Sequence, residues 1–254
     1  MWLYTTGSDA LTPIVLYDYQ PSCKGSCAQN FPEGFRGLVQ CDGYQGYNKL
    51  EDVILVCCLA HARRKFFEAV PAARRKRLKL LDINSDEAIE DISLPDEEEA
   101  KQLLPAEIGL LYCNKLFYLE RTLKDLNPEE RKQQRDVLEQ PVWDQFWNWL
   151  DTLHPTGGSK LGKAVNYAQN HHDTLMNYLL DGRCEISINR AERKAKSYAI
   201  GRKAFLFHTS ETGAGASAVM YSIVETAKAN NLNIFQYLYT VLLYMPDYMN
   251  SSAG

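Results

Sequence analysis

"GLVQCDGYQGYNKL", residues 37–50, carries a short apolar run into a single carboxylate, Asp42, and turns at once at Gly43. An unpaired ionised group costs several kcal/mol to bury. An acid at the end of what reads as an interior strand therefore belongs at the surface or beside a partner.

Working outward, the preceding and following segments repeat the strand pattern. "WLYTT" (2–6), "PIVLYDY" (13–19), "GLVQCD" (37–42) and "VILVCC" (53–58) are rich in Val, Ile, Leu and Tyr and bounded by Gly, Pro, Ser and Asp, which predicts four strands. From His61 the period changes to that of helices: an amphipathic run to Val70 stopped by Pro71, then Ile108, Tyr112, Leu116, Leu119 and Leu123 on one face. "PEERKQQRDVLEQPVWDQFWNWLDTL" supplies one or two more helices, "HPTGGS" a loop, and "KLGKAVNYAQNHHDTLMNYLLDG" a helix closed by Gly182. The pattern is α/β, with strands first and a helical block after.

The chain has 254 residues, 45% of them hydrophobic, enough for one large domain or two small ones. Its formal charge of −4 argues against a nucleic-acid-coating protein, but the average conceals clusters. Bases gather at 62–79 and 190–203 and acids at 82–100, where a solvated loop is expected. Seven cysteines, an odd number lying partly inside apolar runs, fit a reduced compartment better than a disulfide framework. "MWLYTTGSDA" lacks the features of a signal peptide, and "NIFQYLYTVLLYM" is too short to span a bilayer. A cytoplasmic protein without membrane contact is expected.

By type and setting, the best partner for Asp42 is Glu192 in "ISINRAERKAK", where Asn189, Glu192 and Lys196 share one helix face. The residues alone leave a second reading open, an ordinary surface glutamate paired with Arg190, Arg193, Lys194 or Lys196. Arg63, Arg64 and Lys65 are placed to neutralise phosphates or to form a solvated helix face. Cys58 and His61 have a Cys-x-x-His spacing, but two ligands do not make a zinc site. His171 and His172 read as exposed helix residues, "TGAGAS" (212–217) as a weak anion-binding turn before a helix, and Trp143, Trp147 and Trp149 as helical core.

"LVQCDGYQGYNKL", "CLAHARRKFFEA", "SKLGKAVNYAQN", "YLLDGRCEISINRAER" and "YAIGRKAFLFHTSETGAGASAVMYSIVETAK" occur in the order found in transposases of insertion-sequence family 66, and the resemblance runs from about Trp2 to Pro246. It implies a ribonuclease-H-like mixed sheet with a large helical insertion and a helical C-terminal element. The implied divisions are 1–70 for the strand-rich core, 71–182 for the insertion, 183–203 for the glutamate helix, 204–246 for the C-terminal element and 247–254 for a tail. It also implies an Asp, Asp, Glu triad cleaving and joining DNA with two Mg²⁺ or Mn²⁺ ions. Asp42 is then the second acid and Glu192 the third, both metal ligands.

The first acid of that triad, on a first strand, has no match here, since "MWLYTTG" resembles the following strand. Asp9 and Asp18 are poor replacements, because one lies in a turn and the other matches the end of a different strand. The family's DNA-binding N-terminal region has no match either. The expectation is an incomplete core, inactive alone, or in the alternative a non-catalytic DNA-binding or protein-binding relic of a mobile element. Where the family reads roughly Ile-Asp-Asn-Asn before Xaa-Ala-Glu-Arg, this chain has Ile186, Ser187, Ile188 and Asn189. His61, Arg63, Arg64, Lys65, Arg193, Lys196, Arg202 and Lys203 are the expected DNA contacts. Self-association in a transposition complex, in a bacterial nucleoid setting, is the remaining implication.

Overall fold

A computed structural model describes residues 1–22, 27, 34–77, 93–204, 208 and 210–251. Cys23 and residues 82–92 of the acidic loop expected at 82–100 lie outside them, and the end of that stretch, Glu97–Ala100, is a short helix capped by Asp96 and not loop. The chain divides into two units, Met1–Cys27 with Asn189–Gly254, and Ala28–Ile188.

The central unit is built on strands β3 (Gly37–Cys41) and β4 (Val53–Cys57), paired in parallel with Gly37 opposite Val53 and Cys41 opposite Cys57. Helix α1 (Leu59–Ala69) follows at once, and Val70 is extended ahead of Pro71, as the steric demand of a proline ring on the preceding residue requires. Two short helices, α2 (Ala72–Arg77) and α3 (Glu97–Ala100), precede α4 (Pro105–Thr122), α5 (Pro128–Leu138), α6 (Gln140–Asp151) and α7 (Lys160–Asn170). Local chemistry starts them. Asn127 Oδ1 accepts from Glu130 N at 3.0 Å and Ser159 Oγ from Gly162 N at 2.9 Å, supplying acceptors to orphan amide groups. Pro141 in the first turn of α6 separates it from α5, because proline has no amide to continue a helix.

Helix α1 packs against α4 and α7. Gly109 permits the first contact: a Cβ there would lie 2.5 Å from the Phe66 ring. Ile108, Leu116, Leu119 and Leu123 are buried as their spacing predicts. Trp143 is fully buried and stacks on Trp147 at 5.5 Å, with Phe146 edge-on to both, so the tryptophans are core residues.

Arg135, also fully buried, is the unit's polar centre. It donates to both Glu120 carboxylate oxygens at 2.6 and 2.9 Å and to the carbonyls of Tyr178, Asp181 and Cys184. One guanidinium thereby ties α4 and α5 to the segment after α8 (His172–Met176).

The expected continuous helix at 160–180 is broken. His171 leaves helical geometry at φ −118° and ψ 22°, and a 3₁₀ turn over Asn177–Leu180 follows α8. The break lets the imidazole pack on Tyr167, centroids 4.5 Å apart, with Nδ1 3.6 Å from Cys57 Sγ.

In the terminal unit, β1 (Trp2–Thr5) pairs antiparallel with β2 (Val15–Asp18), Trp2 opposite Asp18. Helices α9 (Asn189–Ala204), α10 (Glu211–Ala229) and α11 (Ile234–Ser251) complete it. Ser222 Oγ accepts from Tyr17 N at 2.8 Å and Thr226 Oγ1 from Val15 N at 3.0 Å. Hydroxyls of α10 thus satisfy backbone groups of β2 that would otherwise present an open edge. Tyr17, Tyr198 and Tyr221 cluster over this contact. The glycines of "TGAGAS" lie inside α10, behind Ser210 as its cap, and not in a turn before it. A capped, packed helix accounts for them.

Candidate active site

Asp42 immediately follows β3 and is exposed. Its Oδ1 accepts from Tyr44 N at 3.0 Å, closing an Asx turn. Gly43 between them has φ +80°, a conformation that disfavours a side chain. Helix α7 reaches this turn: Tyr167 Oη donates to the Asp42 carbonyl at 3.3 Å. A Cβ on Gly43 would stand 2.7 Å from that hydroxyl and 3.2 Å from His171 Nε2. Lys65 on α1 holds its ammonium 4.9 Å from the centre of the Tyr167 ring, a cation–π distance.

Beneath the turn lie two thiols. Cys41 and Cys57, opposite each other in the parallel register, bring their sulfurs to 3.9 Å. Their hydrogen bond, with burial added, pushes the Cys41 thiol far up, and the same bond draws Cys57 below the usual thiol range. Burial, helped by the charge of Lys65, lowers His171 and leaves a neutral imidazole at pH 7. Burial also raises Tyr167, with the sulfur charge of Cys57 as the next cause. The surroundings of Asp42 are therefore a phenol, a neutral imidazole, two thiols and one lysine. Among the described residues no three His, Cys, Asp or Glu side chains cluster in a way that could hold a metal ion.

Glu192 lies in the other unit, half-buried in the first turn of α9, where the helix N-terminus favours a negative charge. Several contacts fix that helix. Arg190 Nη2 donates to the Thr6 carbonyl at 2.6 Å, Tyr17 Oη donates to the Lys194 carbonyl at 2.7 Å, and Lys194 pairs with Glu225 at 2.9 Å. Burial works to raise Glu225, but hydrogen bonds from Lys228 and Lys194 outweigh it and hold the carboxyl below its ordinary range. Arg193, Lys196, Arg202 and Lys203 are exposed along α9.

The basic helix α1 divides by face. Arg64, Lys65 and His61 are half-buried. Arg63 is 2% exposed, donates to Asn114 Oδ1 at 2.6 Å and lies over the Phe117 ring at 5.4 Å. Its charge is spent inside the α1–α4 contact, so it does not face phosphate. Cys58, at the N-cap of α1, is buried and accepts from Ile188 N through sulfur, which explains it structurally. His172 is exposed as expected, but His171 is not.

Tyr167 and Cys57 are neighbours of Asp42 that the sequence pattern did not single out, and His171 is one that it read as an exposed helix residue. Tyr167 and His171 are four residues apart, one helical turn, a signal that marks a shared face without saying what it covers.

A sequence profile described as "Transposase IS66 family" matches residues 1–216. Three proteins of Sinorhizobium fredii are similar over most of the chain: y4hP, 28% identical over 93% of it, y4jD, 29% over 91%, and y4qI, 26% over 89%. All three carry the description "uncharacterized protein". The chain covers 42%, 42% and 39% of their lengths, well under half of each. No solved structure matches.

Proposed function

This chain belongs to the IS66 transposase family, and from that membership we propose that it is part of a transposase core that breaks and joins DNA strands, with Asp42 and Glu192 as two of its acids. The observation that carries the proposal is Asp42 itself: an exposed carboxylate at the end of a strand in a parallel pair, inside a family match that also includes Glu192. The strand pairings support a ribonuclease-H-like sheet. An antiparallel pair and a parallel pair are what such a sheet has on either side of its central first strand.

Strand cleavage and transfer are in-line displacements at phosphorus, in which an attacking oxygen forms a bond as the opposite oxygen leaves. Held by Asp42 and Glu192, a divalent cation would supply Lewis acidity and would stabilise charge on the attacking and leaving oxygens. Asp42 suits such a cation as a hard oxygen donor, with Oδ1 oriented by Tyr44 N. The Asx turn and the Tyr167 hydroxyl hold the Asp42 peptide in place. His61, Arg64, Lys65, Arg193, Lys196, Arg202 and Lys203 would contact backbone phosphates without reading sequence. Arg63 is left out of that set because it is buried.

The test is nicking and joining of end-bearing duplexes with Mg²⁺ or Mn²⁺, by this chain and by a version extended at its N-terminus with the corresponding segment of a longer relative such as y4hP. The expected result is no cleavage by the chain alone and metal-dependent cleavage by the extended protein, lost in Asp42→Asn and in Glu192→Gln with unchanged thermal melting. Cleavage that survives either substitution overturns the assignment. A chain that binds DNA but gives no cleavage in any extended form supports the non-catalytic relic.

A further inference from the structure

The two thiols beneath the Asp42 turn are spaced for a reaction that strand cleavage and transfer do not use. Cys41, the last residue of β3, and Cys57, the last of β4, stand directly opposite each other in the parallel register. Adjacent strands lie about 4.7–4.9 Å apart, inside the roughly 4.4–6.8 Å that separates the Cα atoms of a disulfide. Both cysteines are free, and their sulfurs already approach to 3.9 Å. Closing that gap to a bond of about 2.05 Å moves each sulfur by about 0.9 Å, an adjustment within reach of the side chains. A third group lies against the pair. His171 Nδ1 is 3.6 Å from Cys57 Sγ, and its ring is half-buried where the thiols are buried. The imidazole and the exposed Asp42 turn therefore lie between the thiols and solvent. Cys58, next in sequence, is engaged elsewhere, its sulfur accepting from Ile188 N at 3.3 Å.

We infer that Cys41 and Cys57 form a redox-sensitive switch: a hydroperoxide closes them into a disulfide, a thiol reductant reopens it, and closure changes the contacts under the Asp42 turn. In the first step the Cys57 sulfur attacks one peroxide oxygen as its proton passes to His171 Nδ1. The O–O bond breaks, an S–O bond forms, and the second oxygen leaves as an alcohol, or as water from hydrogen peroxide, with the proton returned by the imidazole. The Cys41 sulfur then attacks the sulfenic sulfur, the S–O bond breaks, and the hydroxyl leaves as water with the Cys41 proton. Two thiols and one hydroperoxide give one disulfide, one alcohol and one water, with two electrons passing from sulfur to oxygen. Reopening is thiol–disulfide exchange, which oxidises two molecules of the reductant to its own disulfide. Closure replaces the sulfur–sulfur hydrogen bond and takes from His171 the thiol it contacts. The turn meets both changes, because Asp42 and Gly43 follow Cys41 directly and a Cβ on Gly43 would stand 3.2 Å from His171 Nε2. The inference rests on the geometry under the turn and not on the roles proposed for Asp42 and Glu192.

The experiment treats the folded 254-residue chain with a small molar excess of hydrogen peroxide, quenches with catalase, alkylates the remaining thiols in denaturant and maps the tryptic peptides by mass spectrometry without reduction. The expected result is a cross-link between Gly37–Lys49 and Leu50–Arg63 with the alkyl group on Cys58, released by dithiothreitol. It should persist in Cys58→Ser, vanish in Cys41→Ser and Cys57→Ser, and form at least about tenfold more slowly in His171→Gln, the loss of a positioned base. In the oxidised protein the His171 ring and the Gly43 amide should shift in ¹⁵N spectra, and dithiothreitol should restore both; this measurement and the wild-type map need no variant to fold. Alkylation of both Cys41 and Cys57 after peroxide treatment, a cross-link to Cys58 in place of Cys57, or sulfinic acid at Cys57 overturns the inference. So do a cross-link that forms as fast in urea as in the folded chain, an oxidation rate indifferent to His171→Gln, and unmoved His171 and Gly43 resonances in the cross-linked protein.

Discussion

Gly43→Ala should report directly on the contact between α7 and the Asp42 turn. The backbone at Gly43 has φ +80°, where a residue with a Cβ costs about 1–2 kcal/mol. The new methyl would also lie 2.7 Å from Tyr167 Oη and 3.2 Å from His171 Nε2. The phenol must then move and give up its bond to the Asp42 carbonyl, a loss of about 0.5 kcal/mol for a bond as long as 3.3 Å. Together these place the destabilisation at about 1.5–2.5 kcal/mol. Tyr167→Phe alone removes only the hydrogen bond, long at 3.3 Å, and should cost at most about 0.5 kcal/mol.

In the double variant the clash with Oη is gone, so the costs should fall short of additivity by about 1 kcal/mol, the size found for residues in contact. Urea unfolding followed by tryptophan fluorescence isolates the relevant unit, because Trp143, Trp147 and Trp149 lie in Ala28–Ile188 and only Trp2 lies outside it. A loss below about 0.5 kcal/mol for Gly43→Ala, or strict additivity in the cycle, would refute the packing argument.

Two further expectations concern the buried polar centre. Arg135→Ala leaves Glu120 and three carbonyls without their donor and should cost about 3–5 kcal/mol, with Arg135→Lys intermediate because an ammonium cannot reproduce the fork; urea midpoints measure both, and a loss under about 1 kcal/mol for the alanine would contradict the network. Glu139 is fully buried, and burial, then the charge of Glu120, raises its carboxyl well above the ordinary 4.5, so the folded protein holds a proton that the unfolded chain releases. Stability from this group is complete below about pH 4.5 and is lost as pH rises toward the folded value. Glu139→Gln should therefore lose less stability than the wild type between pH 5 and pH 8, and equal slopes in the two proteins would show that Glu139 is ionised in the fold.

The four strands and most helices were legible from the sequence because each rests on information within one segment. Runs of Val, Ile, Leu and Cys in "GLVQCD" and "VILVCC" mark strands, and Pro71 stops a helix. The tryptophan core and the family followed in the same way, from spacing and from motifs in order. What the sequence could not reveal depends on which groups meet across a long separation. Arg63 and Arg64 are adjacent in a basic run, yet one is core and the other is not, because only the packing of α4 on α1 decides which side of the helix is dry. His171 looked like its exposed neighbour His172 until the helix broke beneath it and turned its ring toward Cys57. Arg135 lies in "EERKQQRDVL", where every polar residue reads as solvated. Only the convergence of Glu120 with the carbonyls of Tyr178, Asp181 and Cys184 makes burying its charge tolerable, and a burial cost offset by distant partners leaves no trace in local pattern.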